Sequence, residues 1–296
     1  MKIVVIGSGG RLGAALCREW SAAGDEVVGF NHASLDIGDT DALYSTLQPL
    51  EFDVLVNCAA QTNVDRCEAE VEEAFRLNGN APIDLGDICY GKGARFIHIS
   101  TDYVFDGAKN SPYTEEDEAK PISVYGHSKK AGEDGALTTT HGQALVARVS
   151  WVFGPDRPSF IDGVLTRARE HEQVEAIADK RAVPTYTADI AALLRPFLGD
   201  NKEGGLLHLC NSGECSWQEY GQYAIDCALA AGVEMKGRTV APLAMADLKS
   251  FVAKRPPYTV MATEKLTRLV GSAPRSWQAA VEDYVRSSWA PRLGRG

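Results

Sequence analysis

The sequence lacks several features that would set it apart from ordinary globular proteins. No apolar run is long enough to cross a bilayer, and the apolar start "MKIVVIGSGG" reaches glycines within a few residues, unlike a signal peptide. The 7 cysteines are odd in number and include no C-x-x-C pair, so neither a disulfide framework nor a zinc site is indicated. We therefore expect an unexported protein of a reducing compartment, in the simplest case the cytoplasm.

Basic residues are also in the minority, since 30 Lys and Arg stand against 40 Asp and Glu, for a net charge of −10. Nucleic acid requires clustered Lys and Arg around its phosphates, so it is excluded as the main partner, whereas a small phosphorylated ligand needs only a few local donors. A hydrophobic content of 45% with 24% charged residues is typical of a globular protein. The length of 296 residues suits one large domain or two modest ones.

Short apolar runs alternate with helical patterns over the first half of the chain. The runs are "KIVVIG", "DEVVGF", "DVLVNCAA", "RFIHIS" and "QALVARVSWVFG". Strands separated by helices form right-handed βαβ units, which build a parallel sheet covered by helices on both faces. The pattern predicts an α/β fold with a Rossmann-type, doubly wound parallel sheet over residues 1–153.

The regular alternation ends after residue 153. Residues 154–296 are expected to form a smaller, irregular α/β domain, with "GGLLHLCN" and "GRTVAPL" as short strands among loops. The helical pattern near residues 187–199 is expected to pack back onto the first sheet.

Three glycines, Gly7, Gly10 and Gly13, recur at G-x-x-G-x-x-G spacing in "GSGGRLG", directly after the first strand. Such a turn lets the chain bend sharply, lets backbone approach a pyrophosphate, and keeps the helix close to the sheet. The free N–H groups at the helix N-terminus then face the phosphates. Glycine turns also occur for packing alone, but the place of this one between a strand and a helix favours dinucleotide binding.

The end of the second strand, in "GFNHASLD", carries no carboxylate. A protein that binds NAD usually has Asp or Glu here to accept hydrogen bonds from the adenosine ribose. Asn31 and His32 occupy the position instead, so a 2′-phosphate meets no repulsion, and Arg11 is available to pair with it. The pattern favours NADPH and leaves NADH as an option; His32 is equally well explained as a solvated loop residue.

Tyr125 and Lys129 stand one helical turn apart in "PISVYGHSKKAGED", a spacing that is common by chance. It gains meaning from "GSGGRLG", "VNCAAQTNVDRCE", "HISTDYVFDG", "RVSWVFG" and "KRPPYTV", which occur in family-like order. Through these motifs the chain resembles the extended short-chain dehydrogenase/reductases, and more closely the dTDP-4-dehydrorhamnose reductase family. The resemblance implies an NAD(P)H-dependent oxidoreductase acting on the 4-keto group of a nucleotide-linked deoxysugar, with residues 154–296 as the substrate-binding domain.

The resemblance also implies roles for individual positions. The catalytic residues would be Thr101, Tyr125 and Lys129. The cofactor would be bound by Gly7, Gly10, Arg11, Leu12, Gly13, Asn31, Asp36, Ile37, Cys58, Ala59, Ala60, Thr62, Asn78, Tyr125 and Lys129. The sugar nucleotide would be bound by Thr101, Asp102, Tyr125, Trp151 and Arg255. Trp151 is equally well explained as a core residue, and Arg255 is better explained as a residue of a surface loop.

The residue types suit the reaction. Hydride that reaches a ketone makes an alkoxide, which must be protonated as it forms, and a free tyrosine with a pKa of ~10 is a poor partner near neutral pH. An ammonium group one helical turn away favours the phenolate, so we expect Lys129 to lower the pKa of Tyr125. Thr101, at the end of a parallel strand, is expected to hydrogen-bond the carbonyl oxygen.

Several alternatives share this fold. Sugar-nucleotide 4,6-dehydratases carry Glu where Tyr103 follows Asp102, and epimerases of the superfamily normally have an acidic residue at the end of the second strand. The regulatory subunit of methionine adenosyltransferase, a non-catalytic relative, binds NADP; the presence of Thr101, Tyr125 and Lys129 favours an enzyme instead. A reductase or epimerase for another sugar nucleotide stays open, because "VNCAAQTNVDRCE" departs from the alanine-rich run of the family.

The resemblance bears on partners as well. Members of the family are often dimeric, so a homodimer is an expectation, and some bridge protomers with Mg²⁺. No ligand set for a metal ion can be identified in this sequence. Neither nucleic acid nor a membrane is an expected partner.

Overall fold

The structure, a computed structural model, describes residues 1–199, 203–248 and 250–293. Its strands are β1 (Lys2–Ile6), β2 (Glu26–Phe30), β3 (Val54–Asn57), β4 (Arg95–Thr101), β5 (Leu145–Val149), β6 (Val152–Phe153), β7 (Val174–Ile177), β8 (Arg181–Ala182), β9 (Thr185–Tyr186), β10 (Gly205–His208), β11 (Cys215–Ser216) and β12 (Val240–Leu243). Its helices are α1 (Arg11–Ala22), α2 (Thr40–Leu47), α3 (Val64–Ala69), α4 (Val71–Phe75), α5 (Ala81–Lys92), α6 (Val124–Thr139), α7 (Phe160–Glu170), α8 (Thr187–Leu194), α9 (Trp217–Ala230), α10 (Glu264–Val270), α11 (Trp277–Tyr284) and α12 (Ala290–Leu293). A π-helical turn (Arg76–Asn80) joins α4 to α5.

The central sheet has six parallel strands in the order β10-β5-β4-β3-β1-β2. The chain runs from β1 to its neighbour β2 and then crosses to β3 on the other side of β1, so the strand order reverses there. Adjacent crossovers that leave in opposite directions open a crevice at the carboxyl ends of the strands, where ligands bind in such sheets. The predicted Rossmann-type, doubly wound parallel sheet is confirmed.

Helices cover both faces of the sheet. On one face α1 and α8 bury Leu16, Trp20 and Ile190 against β1 and β3. On the other face α2, α5 and α6 form a second core with the same strands. Because the central strands are buried on both faces, their sequences are continuous apolar runs instead of alternating ones. The indole nitrogen of Trp20 donates to the carbonyl of Ala191 at 3.2 Å, which ties α1 to α8.

A third core, built mainly by α7, α9, α11 and the short strands around them, lies in the second half of the chain. Strand β10 leaves this half and pairs with β5 as the sixth strand of the central sheet, a role that the sequence did not predict for "GGLLHLCN". Without β10, β5 would be the edge of the sheet and would expose unpaired N–H and C=O groups, which β10 satisfies. We propose the division into residues 1–153 and 154–296, with α8 and β10 returning to the first unit; residues 294–296 lie outside the described part.

A buried ion pair holds α6 on the sheet. Glu133 and Arg148 are each only 1% exposed, and Arg148 on β5 donates two hydrogen bonds, at 2.8 and 2.7 Å, to the two carboxylate oxygens. The Ser100 hydroxyl on β4 donates to the same carboxylate at 2.6 Å. Each charge stabilises the other in the protein interior. Either one alone would be a buried charge with no opposite charge beside it, which is strongly destabilising.

We therefore expect Arg148→Met to lower the free energy of unfolding by ~3–5 kcal/mol, since it leaves the Glu133 carboxylate buried and unpaired. The double variant Glu133→Gln/Arg148→Met should recover most of this loss. Urea unfolding of the wild type, both single variants and the double variant gives the coupling between the two sites. Losses that simply add in the double variant would contradict a coupled buried pair.

Candidate active site

A cavity of about 950 Å³ lies at the carboxyl edge of the central sheet. Its wall includes the glycine turn after β1, the end of β2, the segment after β3, the end of β4, the first turns of α6, and Val149, Trp151, Val152 and Arg157. The cavity therefore occupies the crevice at which the strand order reverses. Its volume is at the upper end of the range for small-molecule sites, which suits a ligand of several linked groups.

The glycine turn leaves room that side chains would fill. Gly7 has a left-handed φ of +82°, and a Cβ there would lie 2.7 Å from the backbone nitrogen of Ala59. A Cβ on Gly13 would lie 2.2 Å from the Gly7 carbonyl oxygen. Gly10 caps α1 without a side-chain hydrogen bond, so the first N–H groups of the helix face the cavity edge free of a side-chain acceptor. This cradle fits the pyrophosphate of a dinucleotide.

Most of the residues predicted to bind the cofactor are brought together on the cavity wall. These are Gly7, Gly10, Arg11, Leu12, Gly13, Asn31, Ile37, Cys58, Ala59, Ala60, Thr62, Tyr125 and Lys129. The predicted residues Asp36 and Asn78 are not on the wall. Asp36 accepts from the backbone nitrogen of Gly38 at 2.9 Å and pairs with Arg76 at 3.2 Å, which lowers its pKa.

Asn78 lies behind the wall, in the π-helical turn, and is fully buried. Its side-chain oxygen accepts from the backbone nitrogen of Gln61 at 2.8 Å. Its nitrogen donates at 3.0 Å both to the Gln61 carbonyl and to the Ser128 hydroxyl on α6. Asn78 therefore holds the segment after β3 against α6 and shapes the cavity without lining it.

The guanidinium of Arg11 is committed elsewhere than predicted. It donates to the carbonyl of Arg157 at 3.2 Å and to that of Pro158, in the loop between β6 and α7. Burial lowers the pKa of Arg11, and the nearby Asp162 carboxylate opposes this shift. The prediction that Arg11 pairs with a 2′-phosphate therefore finds no support in this geometry, because the guanidinium already donates to these two carbonyls.

Tyr125 lies in the first turn of α6, which Ser123 caps by accepting from the backbone nitrogen of Gly126 at 3.2 Å. The side chain is 9% exposed, and its ring meets that of Tyr103 edge to face at 5.6 Å. Burial raises the pKa of Tyr125 well above its usual range, and the Thr101 hydroxyl beside it opposes the shift. The expected net lowering of this pKa is wrong, because burial of the phenol has the larger effect and raises it.

Lys129 follows one turn later on α6 and is 2% exposed. Its Nζ donates to the carbonyl of Ile99 at 2.7 Å and lies 3.3 Å from Nε2 of His98. Burial lowers the pKa of Lys129 to about 8, and the Glu133 carboxylate opposes this change. The ammonium group is thus held by β4 and not by the phenol of Tyr125.

His98 belongs to a chain of hydrogen bonds that ends at Lys129. The backbone N–H of Ala59 donates to Oδ1 of Asn57 at 3.0 Å, which turns Nδ2 of Asn57 toward Nδ1 of His98 at 3.2 Å. Burial lowers the pKa of His98 well below its usual value, so its ring is neutral. A neutral ring that accepts at Nδ1 carries its proton on Nε2, facing Lys129. A protonated Lys129 therefore gains no hydrogen bond from His98.

Thr101 and Asp102 end β4 deep in the structure, 6% and 2% exposed. Oγ1 of Thr101 accepts from the backbone nitrogen of Tyr103 at 3.2 Å and donates to Asp102 at 3.1 Å. The Asp102 carboxylate also accepts from the hydroxyls of Ser150 at 3.1 Å and Thr259 at 2.5 Å. Burial raises the pKa of Asp102, and the Lys180 ammonium and then the hydroxyl partners oppose this shift by stabilising the charged form. The predicted substrate contact thus serves to anchor Thr101.

Trp151 lines the cavity and also packs on the third core. It is therefore both a residue of the cavity wall and a core residue, the two interpretations that the sequence left open. Its backbone has a left-handed φ of +38°, and its ring stacks near Tyr220 at 6.4 Å. Its indole nitrogen is buried and has no hydrogen-bond partner in the described part of the chain. A strained backbone and an unsatisfied donor at a cavity wall are features of a ligand contact.

Arg255 is not on the cavity wall. Its guanidinium pairs with both oxygens of Asp65, at 3.0 and 2.7 Å, and lies over the ring of Phe251 at 3.6 Å. The side chain is only 9% exposed and lowers the pKa of Asp65. Arg255 is therefore neither a solvated loop residue nor a free donor for a diphosphate, because its hydrogen bonds hold the 250–257 segment to α3.

Sequence reasoning missed His98, Asn57 and Arg157 as site residues. Asn57 and His98 are polar residues inside the apolar runs "DVLVNCAA" and "RFIHIS", and a polar residue on a strand buried on both faces needs a partner. That signal could have singled them out. Arg157 gives no such signal, because only the fold of the following loop brings it to the glycine turn.

Within residues 1–199, 203–248 and 250–293, no group of three or more His, Cys, Asp or Glu side chains is placed to hold a metal ion. Over the same residues no helix has the length and apolar character needed to traverse a bilayer.

The lowered pKa of Lys129 predicts a pH-dependent stability. Below pH 8 both the folded and the unfolded chain hold the proton, and folding carries the full cost of burying the ammonium. Between pH 8 and the unfolded value of 10.5 the unfolded chain binds more protons, so the wild type gains stability relative to Lys129→Met, by up to roughly 3 kcal/mol. Urea unfolding of both proteins across this range measures the difference.

The matched control is Lys130→Met, one residue further along α6, where the ammonium pairs with Asp134 at the surface at 2.6 Å. It should show no such slope. A difference between the wild type and Lys129→Met that stays constant from pH 7 to 10.5 would contradict a buried, destabilised ammonium.

The family described as RmlD substrate binding domain matches residues 1–289. The spore coat polysaccharide biosynthesis protein SpsK of Bacillus subtilis is 33% identical, over 96% of this chain and 97% of that protein. The dTDP-4-dehydrorhamnose reductase of Mycolicibacterium smegmatis is also 33% identical, over 96% and 85% of the two chains.

Two solved structures show the same fold over nearly the whole length. The dTDP-4-dehydrorhamnose reductase of Clostridium acetobutylicum superposes with a TM-score of 0.88 at 29% identity, covering 96% of this chain and 98% of that one. The reductase of Bacillus anthracis, in complex with NADP, gives 0.87 at 28% identity, with the same coverage. Because the agreement extends through both halves and is not confined to isolated motifs, the chain belongs to the RmlD substrate binding domain family.

Proposed function

We propose that the protein is an NADPH-dependent oxidoreductase that reduces the 4-keto group of a nucleotide-linked deoxysugar, namely dTDP-4-dehydrorhamnose to dTDP-L-rhamnose. One observation carries the proposal: Thr101, Tyr125 and Lys129 share a cavity wall with the glycine cradle. The names of the relatives and the NADP bound in the Bacillus anthracis structure support it.

A bound reduced nicotinamide would supply hydride to the ketone carbon. Tyr125 then donates its phenolic proton to the alkoxide oxygen. Because burial raises the pKa of Tyr125, the phenol carries its proton at neutral pH and can give it to an alkoxide, which is a far stronger base than the phenolate. Lys129, with a pKa of about 8, is largely protonated at neutral pH, and its charge stabilises the phenolate left one helical turn away.

Two further groups orient the sugar in this proposal. The Thr101 hydroxyl donates to Asp102, and rotation of its hydrogen toward the cavity would give the ketone oxygen a donor beside Tyr125. Trp151 lies on the cavity wall, and its ring offers an aromatic surface for the sugar or the base. Both act without moving the backbone.

The finer expectations form part of the same proposal. We propose preference for NADPH over NADH, a cytoplasmic location and a homodimer; light scattering of the purified protein tests the last. Assays with and without a chelator test whether Mg²⁺ takes part.

The deciding experiment is a panel of 4-keto-6-deoxy sugar nucleotides with different bases, each assayed with NADPH and with NADH. We expect cofactor oxidation with the dTDP-linked 4-keto sugar. Turnover only with another nucleotide would identify a different reductase. Saturable NADPH binding without turnover on any sugar would reject the reaction and identify a non-catalytic relative.

Tyr125→Phe removes the proton donor and keeps the ring. We expect kcat to fall ~10²-fold or more, as for loss of a general acid, while the Kd for NADPH changes little. The control is Tyr113→Phe, whose hydroxyl bonds Asp106 at 2.8 Å outside the cavity; its kcat should stay near that of the wild type. A Tyr125→Phe variant with an unchanged kcat would show that another group donates the proton.

A further inference from the structure

Arg157 lies in the loop between β6 and α7, against the glycine turn and on the cavity wall. We propose that its guanidinium binds the adenosine 2′-phosphate of NADPH and thereby sets the preference for NADPH over NADH. The inference rests on the proposed function and names the specificity-determining residue for the cofactor used there.

The geometry places Arg157 beside the end of β2. Its Nε donates to the carbonyl oxygen of Gly9 at 2.9 Å. Its Nη2 is 3.9 Å from the position that a Cβ on Gly9 would take, and the Cβ of Asn31 is 3.2 Å from the same position. Arg157 and Asn31 therefore flank the glycine turn on one side, with His32 next to them on the wall.

This location distinguishes the 2′-phosphate from the pyrophosphate. The pyrophosphate belongs at the N-terminus of α1, in the cradle of Gly7, Gly10 and Gly13. The adenosine ribose belongs at the end of β2, where proteins of this fold that use NAD place a carboxylate. Asn31 holds that position, so a cation next to it faces the ribose.

The charges at this edge favour an anion. Arg157 is exposed, and in the described ranges no carboxylate lies within ion-pair distance of it, so its terminal N–H groups are available. Glu73 and Asp36 both pair with Arg76, at 2.6 and 3.2 Å, so its charge offsets one of their two negative charges. Asn31 does not compete, since its Oδ1 accepts from the backbone nitrogens of Ala33 and Ser34.

The loop that presents Arg157 is fastened to α1. Arg11 donates to the carbonyls of Arg157 and Pro158, and Arg18, two turns further along the helix, pairs with Asp156. A guanidinium held in place before binding loses less conformational entropy when it pairs with a phosphate. In this proposal Arg11 does not bind the 2′-phosphate itself. It holds the loop that presents Arg157 to the ribose.

The test is calorimetric titration with 2′,5′-ADP and with 5′-AMP, which differ by the 2′-phosphate and need no turnover. The wild type should bind 2′,5′-ADP at least ~10-fold more tightly, as expected for charge-assisted hydrogen bonds to one guanidinium. Arg157→Ala should lose ~10- to 100-fold for 2′,5′-ADP and little for 5′-AMP. The matched control is Arg169→Ala, an exposed arginine on α7 away from the cavity, which should keep the preference.

A second variant adds charge in place of removing it. Asn31→Asp keeps two acceptor oxygens for the turn at residues 31–34 and sets a carboxylate beside Arg157, so binding of 2′,5′-ADP should weaken while that of 5′-AMP is retained. Equal binding of both nucleotides by the wild type, no binding of 2′,5′-ADP, or equal weakening of both by Arg157→Ala would each overturn the proposal.

The outcome for Arg157 is separable from that for the reaction. Preference for 2′,5′-ADP that depends on Arg157, in a protein without turnover on any 4-keto sugar nucleotide, would support the inference and reject the proposed reduction. Turnover by a wild-type protein that binds 2′,5′-ADP and 5′-AMP equally would support the proposed reduction and reject the inference about Arg157.

Discussion

The packing of α6 against β4 and β5 through buried polar contacts is the interaction on which the site depends. Tyr125, Lys129 and Glu133 follow at intervals of one helical turn and therefore share one face of α6. Glu133 pairs with Arg148, and Lys129 is held by the carbonyl of Ile99. Because the first two turns of this face cannot move independently of the third, the buried pair also sets the position of the phenol.

A second constraint comes from the other half of the chain. The loop before α7 is fastened to α1 by arginines, and the hydroxyl of Thr259 donates to Asp102 at the end of β4. The cavity wall carries Trp151, near the end of the first half, and Arg157 from the second half. The glycine cradle supplies the place for phosphates, and the second half supplies the groups that would distinguish one ligand from another.

The fold and the family could be predicted because they depend on patterns that are local or ordered along the chain. The glycine spacing, the apolar strands and the Tyr125–Lys129 spacing each reflect a short-range geometric requirement. The pKa of Tyr125 could not be predicted. The spacing indicates how the Lys129 charge would change this pKa, but it does not indicate how deeply the phenol is buried, which has the larger effect here. The hydrogen-bond partners of Arg11 and Arg255 could not be predicted for a related reason: a guanidinium binds whichever acceptors the fold brings to it.

The sequence by itself determined the parallel sheet, the phosphate cradle and the face of α6 that carries the reacting side chains, since each follows from residues within a few positions of one another. Only the tertiary structure decided which polar groups are left free to act. Hydrogen bonds from residues far apart in sequence occupy Asp102, Arg11 and Arg255, whereas Tyr125, Trp151 and Arg157 lie on the cavity wall. The burial of a side chain and its hydrogen-bond partners depend on the assembled fold, so they could not be read from the spacing of residues along the chain.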